Sequence, residues 1–230
     1  MMSRTALVAS QRIPGMRGVA ALMLMAIALS GCGVVGRTSV KAVQMSMQGK
    51  PDVQPSPADV AANRYPQIKV TTSRGGAVLV LGNIDGGRQA WYSNDRGIVF
   101  LVDGLLVGTH GGTPELQDMR IEGENPFHAL HLIEAPVTTQ RQYDVMPGYR
   151  FGITVTGTLE RLGTENIEIL GSTRALLHVR ERLRGQGWKG DNHYWVDPAN
   201  GFIWKSVQAI APDASLEIIQ LKPYSLDLKR

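Results

Sequence analysis

Ala77-Val78-Leu79-Val80-Leu81-Gly82-Asn83, then Asp85-Gly86-Gly87, then Arg88 to Ser93, is the stretch that decides the fold. An apolar run ends at a turn signal, and a second short run follows at once. A further Asp-Gly pair, Asp103-Gly104, separates Ile98 to Val102 from Leu105 to Val107. Asp-Gly suits the type I′ hairpin, whose two central residues need positive φ: glycine accepts it freely and aspartate tolerates it. Asn94-Asp95-Arg96-Gly97 supplies the turn between the two hairpins. A four-strand antiparallel meander is therefore predicted over residues 77–107.

Working outward, the chain reads as β-structure from Gln67 onward. In Ile153-Thr154-Val155-Thr156-Gly157-Thr158-Leu159-Glu160, apolar and polar residues alternate, giving one buried and one wet face. Asn166 to Leu170 and Ala175 to Arg182 continue the pattern around Gly171-Ser172. His193 to Asp197 and Gly201 to Ile210 flank Pro198-Ala199-Asn200, and Leu216 to Leu221 follows a turn at Pro212-Asp213. The fold class is mainly β: an antiparallel barrel-like or strongly curled sheet of about ten strands with one to three short helices. Closure removes edges that such a sheet would otherwise have to protect. His110 to Tyr149 is the irregular part, with Thr113-Pro114-Glu115 capping a brief helix that ends near Arg120 and loop beyond it.

The N-terminal region has a different character. Arg4, Arg12 and Arg17 are the only charges before Cys32, and Val19 to Leu29 is almost wholly apolar. That run is shorter than the roughly 20 residues a bilayer span needs, but it suits a signal-peptide core. Leu29-Ser30-Gly31-Cys32 resembles a lipobox, so residues 1–31 read as a lipoprotein signal peptide and Cys32, the only cysteine, as lipidated. Processing removes three of the 24 basic residues, leaving 21 against 20 acidic ones. The net charge of +4 thus falls to near +1, and the hint of a nucleic-acid partner disappears. No thiol remains for a disulfide, a thiolate metal site or a cysteine nucleophile. Residues 32–63 read as a tether with short helices. Ser39 to Met47 is one, and Ser56-Pro57-Ala58-Asp59 is the other, with serine as N-cap and proline at the first helical position. Residues 64–230 read as a single β-barrel-like domain.

Catalytic signatures are missing from the sequence. No Gly-x-Ser-x-Gly, P-loop, dinucleotide fingerprint or His-Glu-x-x-His occurs. His128 and His131 are spaced to share a metal on a helix, but no full ligand motif surrounds them, so no metal and no cofactor beyond the lipid on Cys32 is expected. Asp95, Asp103 and Asp197 have clear roles in turns, and sequence cannot pair the remaining carboxylates into the dyad a glycosidase needs. No catalytic residue is assigned. Trp91, Trp188, Trp195 and Trp204, with Tyr92, Tyr194 and Phe202, cluster near hairpins. Two readings fit them: core filling, or flat faces for sugar rings. Tyr194 and Trp195 are neighbours on a strand and point to opposite faces, so at least one belongs to a core.

Several segments resemble the YjbF/GfcB (YmcC-like) lipoproteins: Gly49-Lys50-Pro51-Asp52-Val53, Arg64-Tyr65-Pro66, Leu81-Gly82-Asn83-Ile84-Asp85-Gly86-Gly87 and Trp91-Tyr92-Ser93. Gly104 to Thr109, Tyr194 to Asp197 and Gly201 to Ser206 join them, so the resemblance runs from about Lys41 to the C-terminus. Members commonly carry Thr-x-Gly-Leu after the second hairpin, where this chain has Thr109-His110-Gly111-Gly112. The resemblance implies a barrel-like β-fold, outer-membrane attachment, a place in exopolysaccharide and group 4 capsule systems, and no established catalytic residue. Gly33 after the cysteine lacks the aspartate that retains lipoproteins in the inner membrane, which favours the periplasmic face of the outer membrane.

The expected function is a non-enzymatic accessory lipoprotein of polysaccharide assembly or secretion, with an outer-membrane β-barrel, periplasmic proteins or the glycan as partner. Candidate glycan or partner contacts are Trp91, Tyr92, Thr109, His110, Asp144 and Trp195. A lipid or lipoprotein carrier is the first alternative. The hairpin from Trp195-Val196-Asp197-Pro198 to Trp204-Lys205-Ser206 loosely resembles half-barrel lipoprotein carriers, and that reading needs a large apolar cavity. A glycan hydrolase or lyase is the second.

Overall fold

The computed structural model describes residues 52–229. Ser39 to Met47, the signal peptide and Cys32 lie outside them. The serine cap reads true: α1, Pro57–Ala62, starts at Ser56. Ser56 Oγ accepts the Asp59 N–H at 3.2 Å, and the Asp59 carboxylate accepts the Ser56 N–H at 3.2 Å. This reciprocal capping box satisfies two otherwise orphaned donors.

Twelve antiparallel strands follow rather than about ten. The meander comprises β1 (Gln67–Thr72), β2 (Gly75–Asp85), β3 (Arg88–Tyr92), β4 (Ile98–Val102) and β5 (Leu105–His110). Asp103 and Gly104 adopt φ of 52° and 81°, as a type I′ turn requires. Gly104 is needed twice over, because a Cβ there would also lie 3.0 Å from the Ile203 side chain. In the first hairpin Asp85 pairs with Arg88, so the central pair is Gly86-Gly87 rather than Asp-Gly.

The remaining strands are β6 (Glu115–Glu122), β7 (Val137–Met146), β8 (Arg150–Ile169), β9 (Ser172–Gly185), β10 (Trp188–Val196), β11 (Ile203–Ala211) and β12 (Ala214–Lys222). A 3-10 segment, Pro126–Leu132, joins β6 to β7. The helix expected from Thr113 to Arg120 and the loop beyond it are therefore corrected to two strands. A bulge between Leu116 and Asp118 makes the buried residues Leu116 and Met119 fall three apart, a spacing that imitates a helix face. In β7 the inward positions are Thr139, Arg141, Tyr143 and Val145, and two polar residues among them disguise the alternation. The two segments expected at Ile153–Glu160 and Asn166–Leu170 are one long strand, β8.

Strand order is β5-β4-β3-β2-β1-β12-β11-β10-β9-β8-β7-β6. The first strand pairs with the last, Val70 opposite Ile218, while the consecutive strands β5 and β6 form the two edges. Side chains span that seam: the Leu116 N–H donates to Thr109 Oγ1 at 2.9 Å, and His110 Nδ1 lies 3.1 Å from Glu115 Oε1. The sheet is thus a nearly closed barrel. The β1–β2, β3–β4, β5–β6, β7–β8, β9–β10 and β11–β12 turns gather at one end, and the β4–β5 and β10–β11 turns lie at the other.

The interior is filled. Trp91, Leu101, Leu106, Leu116, Leu130, Leu159 and Leu183 belong to one buried cluster with Tyr143, Trp188 and Tyr194. Tyr143 stacks on Trp188 with ring centroids 4.2 Å apart, and Phe127 meets Tyr194 edge-on at 5.1 Å. Gln208 reaches across the lumen, accepting the Leu106 N–H and donating to the Gly104 carbonyl, both at 2.9 Å.

An ion pair sits within this apolar setting. Arg141 and Glu181 are 1% and 0% exposed. Arg141 Nε and Nη2 donate to the two carboxylate oxygens at 2.7 Å each, a bidentate fork. Thr139 Oγ1 donates to Oε1, and Asn192 Nδ2 and Tyr194 Oη donate to Oε2, each at 3.0 Å. Phe127 lies 5.0 Å from the guanidinium carbon. Burial opposes the charge on Arg141, but the adjacent Glu181, together with Tyr194 and Tyr143, outweighs it and raises the guanidinium pKa above its ordinary value. Burial pushes the Tyr143 phenol up to about 12, so it stays neutral. Gly157 makes room for the pair, since a Cβ there would lie 2.3 Å from both Glu181 Oε1 and Thr139 Oγ1.

A second, smaller core lies on the outside of the barrel. Beyond a bulge at Arg161/Gly163, the β8–β9 hairpin folds against the outer face of β10–β12. Ile169, Leu176, Trp195 and Trp204 are buried there, with Ile167, Phe202 and Ile219 beside them. Tyr194 faces the lumen and Trp195 this outer layer, as strand alternation requires.

Removing one member of the internal pair leaves an uncompensated buried charge. Glu181→Ala and Arg141→Ala should each lose about 3–5 kcal/mol of unfolding free energy in urea titrations. The double change Arg141→Met with Glu181→Leu should recover most of it, and a double variant as weak as the singles would contradict this account. Gly157→Ala should cost roughly 2–3 kcal/mol by overpacking against the same carboxylate.

Candidate functional site

The residues singled out from sequence do not assemble into one site. Trp91 is fully buried, and its indole N–H donates to Gln89 Oε1 at 3.2 Å, so it is core and offers no face to a ligand. Tyr92 is exposed on the outer face of β3, its ring lying over Gly82, where a Cβ would come within 2.6 Å of it. Thr109 and His110 bridge the barrel seam through Leu116 and Glu115. Asp144 accepts the Gly152 N–H at 2.6 Å and lies 3.4 Å from Arg120 Nη1, so it braces the start of β8. Trp195 is apart from these, in the outer layer beneath the β8–β9 hairpin. Of the two histidines spaced for a metal, His128 Nδ1 lies 3.6 Å from Asp103, while His131 packs where a Cβ on Gly201 would fall.

Around Trp195 the fold gathers a polar cluster that the linear sequence does not reveal. Glu165 on β8, His178 on β9 and His193 on β10 come together because adjacent strands place them on the same outer face. His178 Nδ1 is 2.6 Å from Glu165 Oε1, and its Nε2 is 2.8 Å from His193 Nδ1. The Trp195 indole N–H donates to Glu165 Oε2 at 2.7 Å, and its ring stacks on His178 at 4.6 Å. Lys205 Nζ lies 4.9 Å from the centre of that ring. With Glu165 ionised, His178 donates to it from Nδ1. The cluster pins the outer hairpin to the barrel wall.

The two ends of the barrel differ. At one, Gln89, Gln220, Phe127 and Asp227 surround a pocket of about 70 Å³, with Gln89 Nε2 donating to the Asp227 carboxylate at 2.6 Å. Burial raises the Asp227 pKa, partly offset by Gln89. At the other, the β5–β6, β7–β8, β9–β10 and β11–β12 turns enclose an open cleft of about 490 Å³. Pro114, Met146, Pro147, Arg150, Pro212 and Asp213 line it. Neither feature had a sequence signal beyond turn-forming prolines and glycines.

The histidine cluster gives stability a pH dependence of fixed sign. Burial first, and the facing His178 and Arg180 next, hold His193 below its ordinary 6.5, while Asp191 and Glu165 oppose them. The folded chain therefore binds fewer protons than the unfolded one just below that value, and stability falls as pH drops through this window. The Trp195 indole N–H, then His178, holds Glu165 low, so its own window begins below the ordinary carboxylate value of 4.5. The thermal midpoint should fall between about pH 7 and about pH 5.5, and His193→Gln should flatten that slope. An equally steep fall in the variant would assign the dependence elsewhere.

Comparison with known proteins agrees with this architecture. The family model described as "Group 4 capsule polysaccharide lipoprotein gfcB, YjbF" matches residues 40–221. The uncharacterized lipoprotein GfcB of Escherichia coli K12 is 22% identical over 209 residues, covering 88% of this chain and 97% of the relative. The crystal structure of the hypothetical lipoprotein YmcC from Escherichia coli K12 superposes with a TM-score of 0.66 at 22% identity, over 80% of this chain and 96% of that one. With the family model spanning most of its length, the chain belongs to the YjbF family of group 4 capsule polysaccharide lipoproteins.

Proposed function

We propose that this protein is a lipid-anchored, non-enzymatic accessory factor of surface-polysaccharide assembly or secretion, held on the periplasmic face of the outer membrane. The observation that carries this reading is the family match over residues 40–221, directly downstream of the lipobox-like Leu29-Ser30-Gly31-Cys32. Its partners are an outer-membrane β-barrel of the secretion system, periplasmic proteins of that system, or the glycan itself. Several acyl chains on Cys32 give stable anchoring, since one alone binds only marginally.

Physical features support the accessory reading. The most buried carboxylate, Glu181, is fully committed to Arg141, Tyr194, Asn192 and Thr139. Glu160 is tied to Arg180 and Arg182, and Asp118 and Asp144 share Arg120. These groups act as structural braces rather than as an acid and base flanking a sugar bond. The carrier alternative needs a pocket of roughly 300–1,000 Å³ inside the barrel. Aromatic and aliphatic side chains fill that interior instead, and the pocket at its end is about 70 Å³.

Metabolic labelling with a palmitate analogue should mark the wild-type chain and leave Cys32→Ser unlabelled, and label that survives the substitution would remove the anchor. A clean deletion should lose surface polysaccharide, restored by the wild-type gene. Normal polysaccharide in the deletion strain would sink the secretion role.

A further inference from the structure

Tyr149 and Phe151 are the most exposed aromatic side chains among the described residues, at 76% and 59% of their surface. Both sit at the tip of the β7–β8 hairpin, with ring centroids 6.4 Å apart and planes inclined at 68°. Tyr149 holds a φ of 52°, the left-handed region that glycine and asparagine prefer. A bulky residue there costs on the order of 1–2 kcal/mol, and its outward ring gains no core packing to offset that cost. Ordinary fold stability does not account for two rings held in water on a strained turn.

Their surroundings indicate what they meet. Met146, Pro147 and Arg150 of the same turn line the open cleft of about 490 Å³, together with Pro114, Pro212 and Asp213. The walls therefore combine apolar faces with one cationic and one anionic side chain. A saccharide matches this combination. Its C–H faces stack on rings, and its hydroxyls both donate to a carboxylate and accept from a guanidinium. A bilayer fits less well, because it presents a flat surface to a concave cleft.

We propose that this rim is a saccharide-binding site. Tyr149 and Phe151 are its stacking faces, and Arg150 and Asp213 are its hydroxyl partners. The assignment rests on the polysaccharide reading above and deepens it by naming the surface and the ligand class. The site lies at the barrel mouth, outside the packed interior, and differs from the contacts suggested by sequence at Trp91, Tyr92 and Trp195.

The test uses residues 32–230 carrying Cys32→Ser, which removes the anchor. The probe is a set of short oligosaccharides released by partial acid hydrolysis from the surface polysaccharide of the producing strain. Calorimetric titration should show binding that weakens by at least about tenfold in Tyr149→Ala with Phe151→Ala. The thermal midpoint should stay unchanged, as should affinity in Tyr65→Ala, an exposed aromatic ahead of β1. Three outcomes would overturn the proposal: no binding by the wild type, undiminished binding by the double variant, or ring-dependent attachment to phosphatidylethanolamine–phosphatidylglycerol vesicles in place of oligosaccharide. Retained affinity in the double variant removes only the rim assignment, whereas normal polysaccharide in the deletion strain removes the broader reading.

Discussion

The Arg141–Glu181 pair is the constraint around which the barrel is arranged. Two full charges inside an apolar lumen are tolerable only when every lone pair and N–H finds a partner. That demand extends across four adjacent strands. Thr139 and Arg141 must face inward on β7, position 157 on β8 must carry no side chain, Glu181 must face inward on β9, and Asn192 and Tyr194 on β10. A one-residue slip between any two of these strands would turn a charge to the outer face and leave its partner buried alone. The pair therefore acts as a register pin. A wholly apolar lumen would be greasy enough to collapse but less particular about alignment.

A filled lumen also determines where function can lie. Trp91, Trp188, Tyr143, Tyr194 and Phe127 fill the lumen, so a ligand too large for a water-sized gap can meet only the outer layer and the two ends. The outer layer is closed over by the β8–β9 hairpin, with Trp195 and Trp204 beneath it. The end bearing the β7–β8 turn keeps its aromatic side chains in solvent. A rigid wall carrying variable turns at its rim is a common arrangement for binding proteins, because the scaffold positions loops without being altered by them.

How much of this was legible in the sequence depended on whether the local signal and the tertiary role agreed. Asp103-Gly104 announces its turn because the backbone conformation itself demands those residues. Ser56-Pro57 marks α1 for the same reason. β6 and β7 were hidden because their inward positions are irregular in spacing or polar in character. Arg141 reads as surface until its partner, forty residues later in the chain, is placed opposite it. The candidate contacts fared unevenly for a related cause. Tryptophan in a strand suits a core as well as a sugar, and Trp91 shows that burial can take it entirely. Tyr149 and Phe151 gave no signal, since a short aromatic–glycine stretch looks like ordinary hairpin punctuation until its rings are seen in solvent.

The pairing of β1 with β12 has a consequence for how the molecule comes into being. Every other ladder joins neighbours in the chain and can form as soon as two successive strands are available. The β1–β12 ladder instead joins Gln67 to Lys222, nearly the full length of the described chain apart. Until β12 has folded into place, β1 is an open edge without its proper neighbour. This one non-local ladder raises the contact order of an otherwise local meander, so closing it is the slow step of folding.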